Sequence, residues 1–136
     1  MAGSITKGRI TNNTGETILV YGPPLGSTYH NSLYFLPTGR KTPSGWDCDG
    51  LYVSNDRLVK QALMPDKRGP VAVKYSGVRF PVITLSDNKY ECPFNEGVFT
   101  PQEMIPGGAI YWEVPNISRS NIPGNYPMVP DHAPID

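Results

Sequence analysis

The chain's 136 residues suit one domain, and its 12 Lys plus Arg against 12 Asp plus Glu give a formal net charge of zero. That balance, with the basic residues scattered along the chain, argues against the basic face that would neutralise nucleic-acid phosphates, so no nucleic-acid partner is expected. Weak self-repulsion leaves a homo-oligomer open, and no apolar run approaches the ~20 residues of a membrane span.

Pro (15) and Gly (14) are abundant, yet eight Tyr, four Phe and two Trp are too many aromatics for a disordered chain. Many turns with many aromatics point to short strands joined by tight loops. The opening MAGSITKGRITNNTG has no apolar h-region, so no secretory signal is expected. A secreted or a particle-associated location both stay open.

In chain order, SITKGRITN alternates and TNNTGE is turn chemistry, since Asn and Gly tolerate positive φ. Thr17–Tyr21 (TILVY) is a β-branched run, read as a buried strand that closes a first hairpin. GPPLGSTYHNS is a loop. Leu33–Leu36 is a strand stopped by Pro37, and Gly50–Ser54 is the next. Residues 55–63 (NDRLVKQAL) form the one helical candidate: Asn55 can cap, Asp56 suits the first turn, and Leu58, Val59, Ala62 and Leu63 share a face. A strand over the same residues is the alternative. Val71–Tyr75 and Val78–Ser86 are strands, the second interrupted by Pro81 and followed by an Asp87-Asn88 turn into a hairpin. GVFT and Ala109–Pro115 complete the set.

After Pro115 the periodicity ends. Residues 116–136 carry prolines at 123, 127, 130 and 134, with Ile122, Tyr126, Met128, Val129 and Ile135 between them. So many apolar groups suit an extended arm that packs on its own domain or on a neighbour. The expectation is an all-β fold: a single antiparallel β-sandwich or flattened barrel of about eight short strands over residues 1–115, at most one short helix at 55–63, and a proline-rich arm over 116–136. Ile18, Val20, Leu33, Phe35, Val71, Val73, Val82, Ile83, Leu85, Ile110 and Trp112 are the expected core.

The densest chemistry lies in SGWDCDGLYVSND, residues 44–56. Asp47, Asp49, Asn55 and Asp56 are hard oxygen ligands, but the spacing departs from the helix–loop–helix calcium pattern. Cys48, Cys92, His30 and His132 lack paired zinc spacing. Cys48 with His30 and an Asp would make a minimal cysteine hydrolase, but Asp47 and Asp49 flank the thiol and disfavour its thiolate. No metal or other cofactor is expected.

A Trp beside Asp, Asn and Gly also suits a sugar: the ring covers the C–H face and the carboxylates accept from hydroxyls. Trp46, Asp47, Asp49 and Asn55, with Tyr29 and His30 from the aromatic-rich loop before Leu33, are therefore the candidate ligand-binding residues. The plainer reading has Gly45 and Gly50 reversing the chain, the aspartates making Asx turns, and Trp46 covering one end of the core. A Cys48–Cys92 disulfide is open; it would close a loop of about 45 residues, worth roughly 4 kcal/mol. NNT at Asn12 and NIS at Asn116 match the glycosylation pattern.

The expected function is a non-catalytic recognition module, lectin-like or of toxin or defence type, that binds a glycan or a protein surface. A structural subunit that assembles through its C-terminal arm is the alternative, and a small hydrolase the third reading.

Overall fold

The structure, a computed structural model, describes residues 8–25, 31–46, 48–75, 79–101, 112–130 and 132–134. In chain order its strands are β1 (Thr11–Asn13), β2 (Ile18–Gly22), β3 (Ser32–Leu36), β4 (Arg40–Lys41), β5 (Gly50–Val53), β6 (Leu58–Lys60), β7 (Lys67–Arg68), β8 (Val71–Lys74), β9 (Val82–Ser86), β10 (Lys89–Glu91), β11 (Gly97–Phe99) and β12 (Ala133–Pro134). The fold is all-β, in two mostly antiparallel sheets. The seven-stranded sheet runs β12-β4-β1-β9-β10-β6-β7 and the five-stranded sheet β11-β8-β5-β2-β3. Two pairs depart from the antiparallel expectation: β1 with β9 and β6 with β10 run parallel. Among the described residues no helix is long and apolar enough to cross a membrane.

The larger core cluster draws from both sheets. Ile10, Val59, Ile83 and Tyr90 come from the seven-stranded side, and Ile18, Val20, Leu36, Leu51, Val53, Val71 and Val73 from the five-stranded side. A second cluster covers the opposite face of the five-stranded sheet, where Leu19, Tyr21, Leu33, Tyr52 and Ala72 meet Trp112, with Val114, Ile117, Ile122 and Tyr126 packed against them. Cover on both faces explains why β2 and β5 are buried at every position and read in the sequence as continuous apolar runs. Each such side chain removed from water contributes about 1.5–3 kcal/mol.

Several expectations change. The described part of residues 1–115 holds eleven strands where about eight were expected. The β1 and β2 segments do not form a hairpin, because they belong to different sheets. Asn12 turns the chain between them: its buried amide donates to the carbonyls of Glu16 and Leu36, both at 2.8 Å, and its Oδ1 accepts from Thr14. Residues 55–63 are not helical. Asn55 and Asp56 make a turn, and Leu58–Lys60 is a strand held between β10 and β7. An isolated helix of this length is marginal, whereas strand pairing on both sides uses the same backbone groups in full.

Val82 is not core. It starts β9 with its side chain outward, and alternation sends Ile83 inward instead. Phe35 and Leu85 are half-buried against the clusters, and Ile110 lies outside the described residues. Of Ala109–Pro115, residues 109–111 also lie outside, and Trp112–Pro115 joins no sheet. Trp112 instead stacks on Tyr21, ring centres 4.5 Å apart.

The residues after Trp112 are held by polar contacts as well as by burial. Tyr21 donates to the carbonyl of Glu113 at 2.6 Å, and Tyr52 to that of Pro115. Asp56 accepts the N–H of Arg119 at 3.1 Å, where a 3-10 turn (Arg119–Asn121) begins. Further on, Phe35 of the edge strand β3 donates to Pro127 and accepts from Val129, at 2.8 and 2.9 Å. Val129 enters the larger core cluster, and β12 pairs with β4. The same stretch therefore borders an edge of each sheet.

Candidate functional site

Trp46 is half-buried against the larger cluster. Its ring meets Tyr34 edge-on at 4.8 Å and lies so close over Gly22 that any Cβ there would overlap it. Asp49 continues the strand ladder. Its N–H donates to Tyr21 at 2.9 Å, its carbonyl accepts from Tyr75 at 2.8 Å, and its Oδ2 accepts from Asn31 at 3.1 Å. Asn55 lies beyond the other end of β5, roughly 20 Å away at the rise of a strand. There it donates to the carbonyl of Ile117 and to Asn116 Oδ1, at 2.9 and 3.0 Å. Trp46 and Asp49 thus sit at one end of the sheet and Asn55 at the other. Tyr29, His30 and Asp47 lie outside the described residues.

Cys48 and Cys92, the pair for which a disulfide was left open, are both buried in the larger cluster and pack there as small apolar side chains. Burial pushes the Cys92 thiol up to about 12, more than the neighbouring Tyr75 hydroxyl offsets, and the charge of Glu91 adds to the rise. A thiol in that state is a poor nucleophile at neutral pH. Among the described residues no three His, Cys, Asp or Glu side chains converge as metal ligands would.

An apolar-walled groove of about 760 Å³ lies on the outer face of the seven-stranded sheet. Its floor follows from register. Alternation along β9 turns Val82 and Thr84 outward. Antiparallel pairing sets Thr84 beside Glu91, and parallel pairing sets Glu91 beside Lys60. Leu63 and Met64, in the β6–β7 connection, form one wall; Pro93, Phe94 and Asn95, between β10 and β11, form the other. These walls carry the most exposed large apolar side chains described: Leu63 is 97% exposed, Phe94 70% and Met64 62%. Phe94 also has a φ of 64°, a left-handed backbone that bulky residues seldom adopt. The guanidinium of Arg79 lies 5.7 Å from its ring centre.

Four polar side chains around the groove are already engaged. Lys60 pairs with Glu91 at 3.7 Å, and Asn95 donates to the carbonyl of Cys92 at 2.8 Å. Gln61 donates to the carbonyl of Pro65 at 2.8 Å. Nearby, Lys89 pairs with Asp66 at 2.8 Å, a hydrogen bond that holds the Asp66 carboxyl below its ordinary value.

None of the groove residues is among the sequence-predicted ligand set. The sequence pattern places Leu63 on the inner face of a helix and gives Phe94 no role. Two signals were available: apolar Leu63 and Met64 stand directly before Pro65, where no strand alternation can bury them, and an aromatic residue occupies the turn CPFN. No protein-family model, curated protein or solved structure matches this chain.

Proposed function

We propose that the chain is a non-catalytic recognition module, built as a two-sheet sandwich with a docked C-terminal arm, whose groove takes an extended peptide segment of a partner protein through uncharged apolar side chains. The observation that carries this reading is the groove itself, about 760 Å³ in volume and walled by Leu63, Met64 and Phe94. That volume falls in the range of ligand sites. Exposed apolar clusters of this kind cost solubility, and an aromatic residue held in a sparsely populated backbone conformation is a recurrent mark of binding sites.

Charge selects the ligand. Lys60 and Glu91 neutralise each other and Asn95 is bound to the backbone, so a charged or hydroxyl-rich ligand would have to displace internal partners. An apolar side chain needs no such exchange. This favours a peptide over the glycan suggested by the Trp46 loop, whose ring is committed to Gly22 and Tyr34. The buried, protonated Cys92 thiol supports the non-catalytic part.

A random peptide library selected against the immobilised full chain tests this. Aliphatic or aromatic peptides should be enriched, and Leu63→Asp and Phe94→Asp, both at exposed positions, should weaken their binding at least tenfold while the fold stays intact. No enrichment, or equal binding by both variants, would sink the reading. Glycan-array signals lost in Trp46→Ala would restore the sugar site. Concentration-dependent self-association abolished by Leu63→Asp would assign the groove to a second copy, and with it the structural-subunit function.

A further inference from the structure

A second cleft, of about 480 Å³, is lined by Arg68, Pro70, Thr100, Pro101, Val114 and Asn116 and shares no residue with the groove. It forms where the edge strand β7 and the entry to β8 meet the end of β11 and the segment after Trp112. We propose that this cleft binds a carboxylate carried on a small apolar body.

Arg68 is the first reason. Arg57 and Arg119 are tied to Glu16, and Lys60, Lys74 and Lys89 each hold a carboxylate. Arg68 is exposed at the end of β7, and its guanidinium has no hydrogen-bond or ion-pair partner among the described residues. A planar fork of N–H donors at the wall of a cleft matches the two oxygens of a carboxylate.

Asn116 is the second. Its Oδ1 accepts from Asn55 at 3.0 Å, and the backbone hydrogen bond from Asn55 to Ile117 fixes the segment in place. The side-chain N–H groups of Asn116 have no partner among the described residues and are donors on the same cleft.

The walls are the third reason. Pro70, Pro101 and Val114 present apolar surface to whatever carries the charge. Stoichiometry of charge chooses among anions: one guanidinium balances a monoanion, whereas a phosphate monoester near −2 would keep a charge uncompensated.

The test is an NMR titration of the ¹⁵N-labelled full chain with sodium benzoate, with benzamide and phenyl phosphate as parallel probes. Benzoate should give saturable shifts at the amides of Arg68, Thr100, Val114 and Asn116. Benzamide, equal in shape but uncharged, should give none. Arg68→Gln, at an exposed position, should weaken benzoate binding by about tenfold or more, and Asn116→Ala should weaken it by a smaller factor. Equal responses to benzamide, unchanged affinity in Arg68→Gln, shifts confined to other residues, or tighter binding of phenyl phosphate than of benzoate would each overturn the proposal.

Discussion

Glu16 ties together three residues far from it in the chain. Its carboxylate accepts from Arg57 through two nitrogens, at 2.8 and 3.3 Å, accepts the hydroxyl of Tyr90, and lies 3.4 Å from the Nε of Arg119. Burial alone would raise its pKa; the hydrogen bonds from Arg57 and Tyr90 and the charge of Arg119 outweigh that and hold it below the ordinary value. Asp56 behaves likewise, with the hydroxyl of Ser54 and the N–H of Arg119 overcoming the cost of burial. A carboxyl depressed in the folded state stabilises fully above its unfolded pKa, and that contribution is lost as pH falls through the folded value. Urea unfolding followed from pH 7 to pH 3 should therefore show stability falling below about pH 4.5, near the unfolded Glu value. Glu16→Gln should lower stability at pH 7 by about 2 kcal/mol and flatten that slope. A variant with the wild-type profile would show that the cluster contributes nothing net. None of this could be read from the sequence. TNNTGE announces a turn, and Asn12 makes it, but Arg57 and Tyr90 lie 41 and 74 positions from Glu16, and Arg119 farther still, beyond the reach of any local pattern.

Among the elements, the legible ones were those whose own residues dictate backbone shape. Asp87 and Asn88, with φ of 53° and 63°, make the two-residue turn between β9 and β10 that their side chains suit. Continuous apolar runs located β2 and β5. Illegible elements were those settled by neighbours: β6 carries a helix-compatible pattern and became a strand because β10 and β7 flank it. The two readings separate cleanly on Val59 and Leu63, which share a buried face in the helix. In the strand Val59 is wholly buried and Leu63 almost wholly exposed. Val59→Asp should abolish cooperative unfolding, because it drives an unpaired charge into the core. Leu63→Asp should change stability by no more than about 0.5 kcal/mol. Circular dichroism with thermal melts of both variants decides it, and equal damage from the two would return the helix.

At the scale of the whole molecule, the question is what closes the side where β3 and β4 stand. An edge strand leaves alternate N–H and carbonyl groups unpaired and invites pairing with another chain. Along β3 those groups at Phe35 are taken by Pro127 and Val129. Proline suits the first of these positions, since only its carbonyl is called on. Val129 is buried in the cluster shared by the sheets, and a few residues later β12 pairs with β4 in the other sheet. Within residues 127–134, therefore, the described residues satisfy one edge, fill the core beneath it and extend the second sheet. Their spacing of prolines and apolar residues signalled packing against something, but the surface they meet is assembled from strands far apart in sequence. Deleting Pro127–Asp136 should cost about 3 kcal/mol from the lost burial of Val129 and two backbone hydrogen bonds. For a chain of this size that corresponds to a fall in Tm of roughly 10 °C. Val129→Ala, which leaves the edge covered, should lose about 2 kcal/mol without changing the oligomeric state. The truncated chain, with β3 uncovered, should also associate as concentration rises, measured by sedimentation velocity. If it sediments as the full chain does and its Tm is unchanged, the segment neither protects the edge nor supports the core.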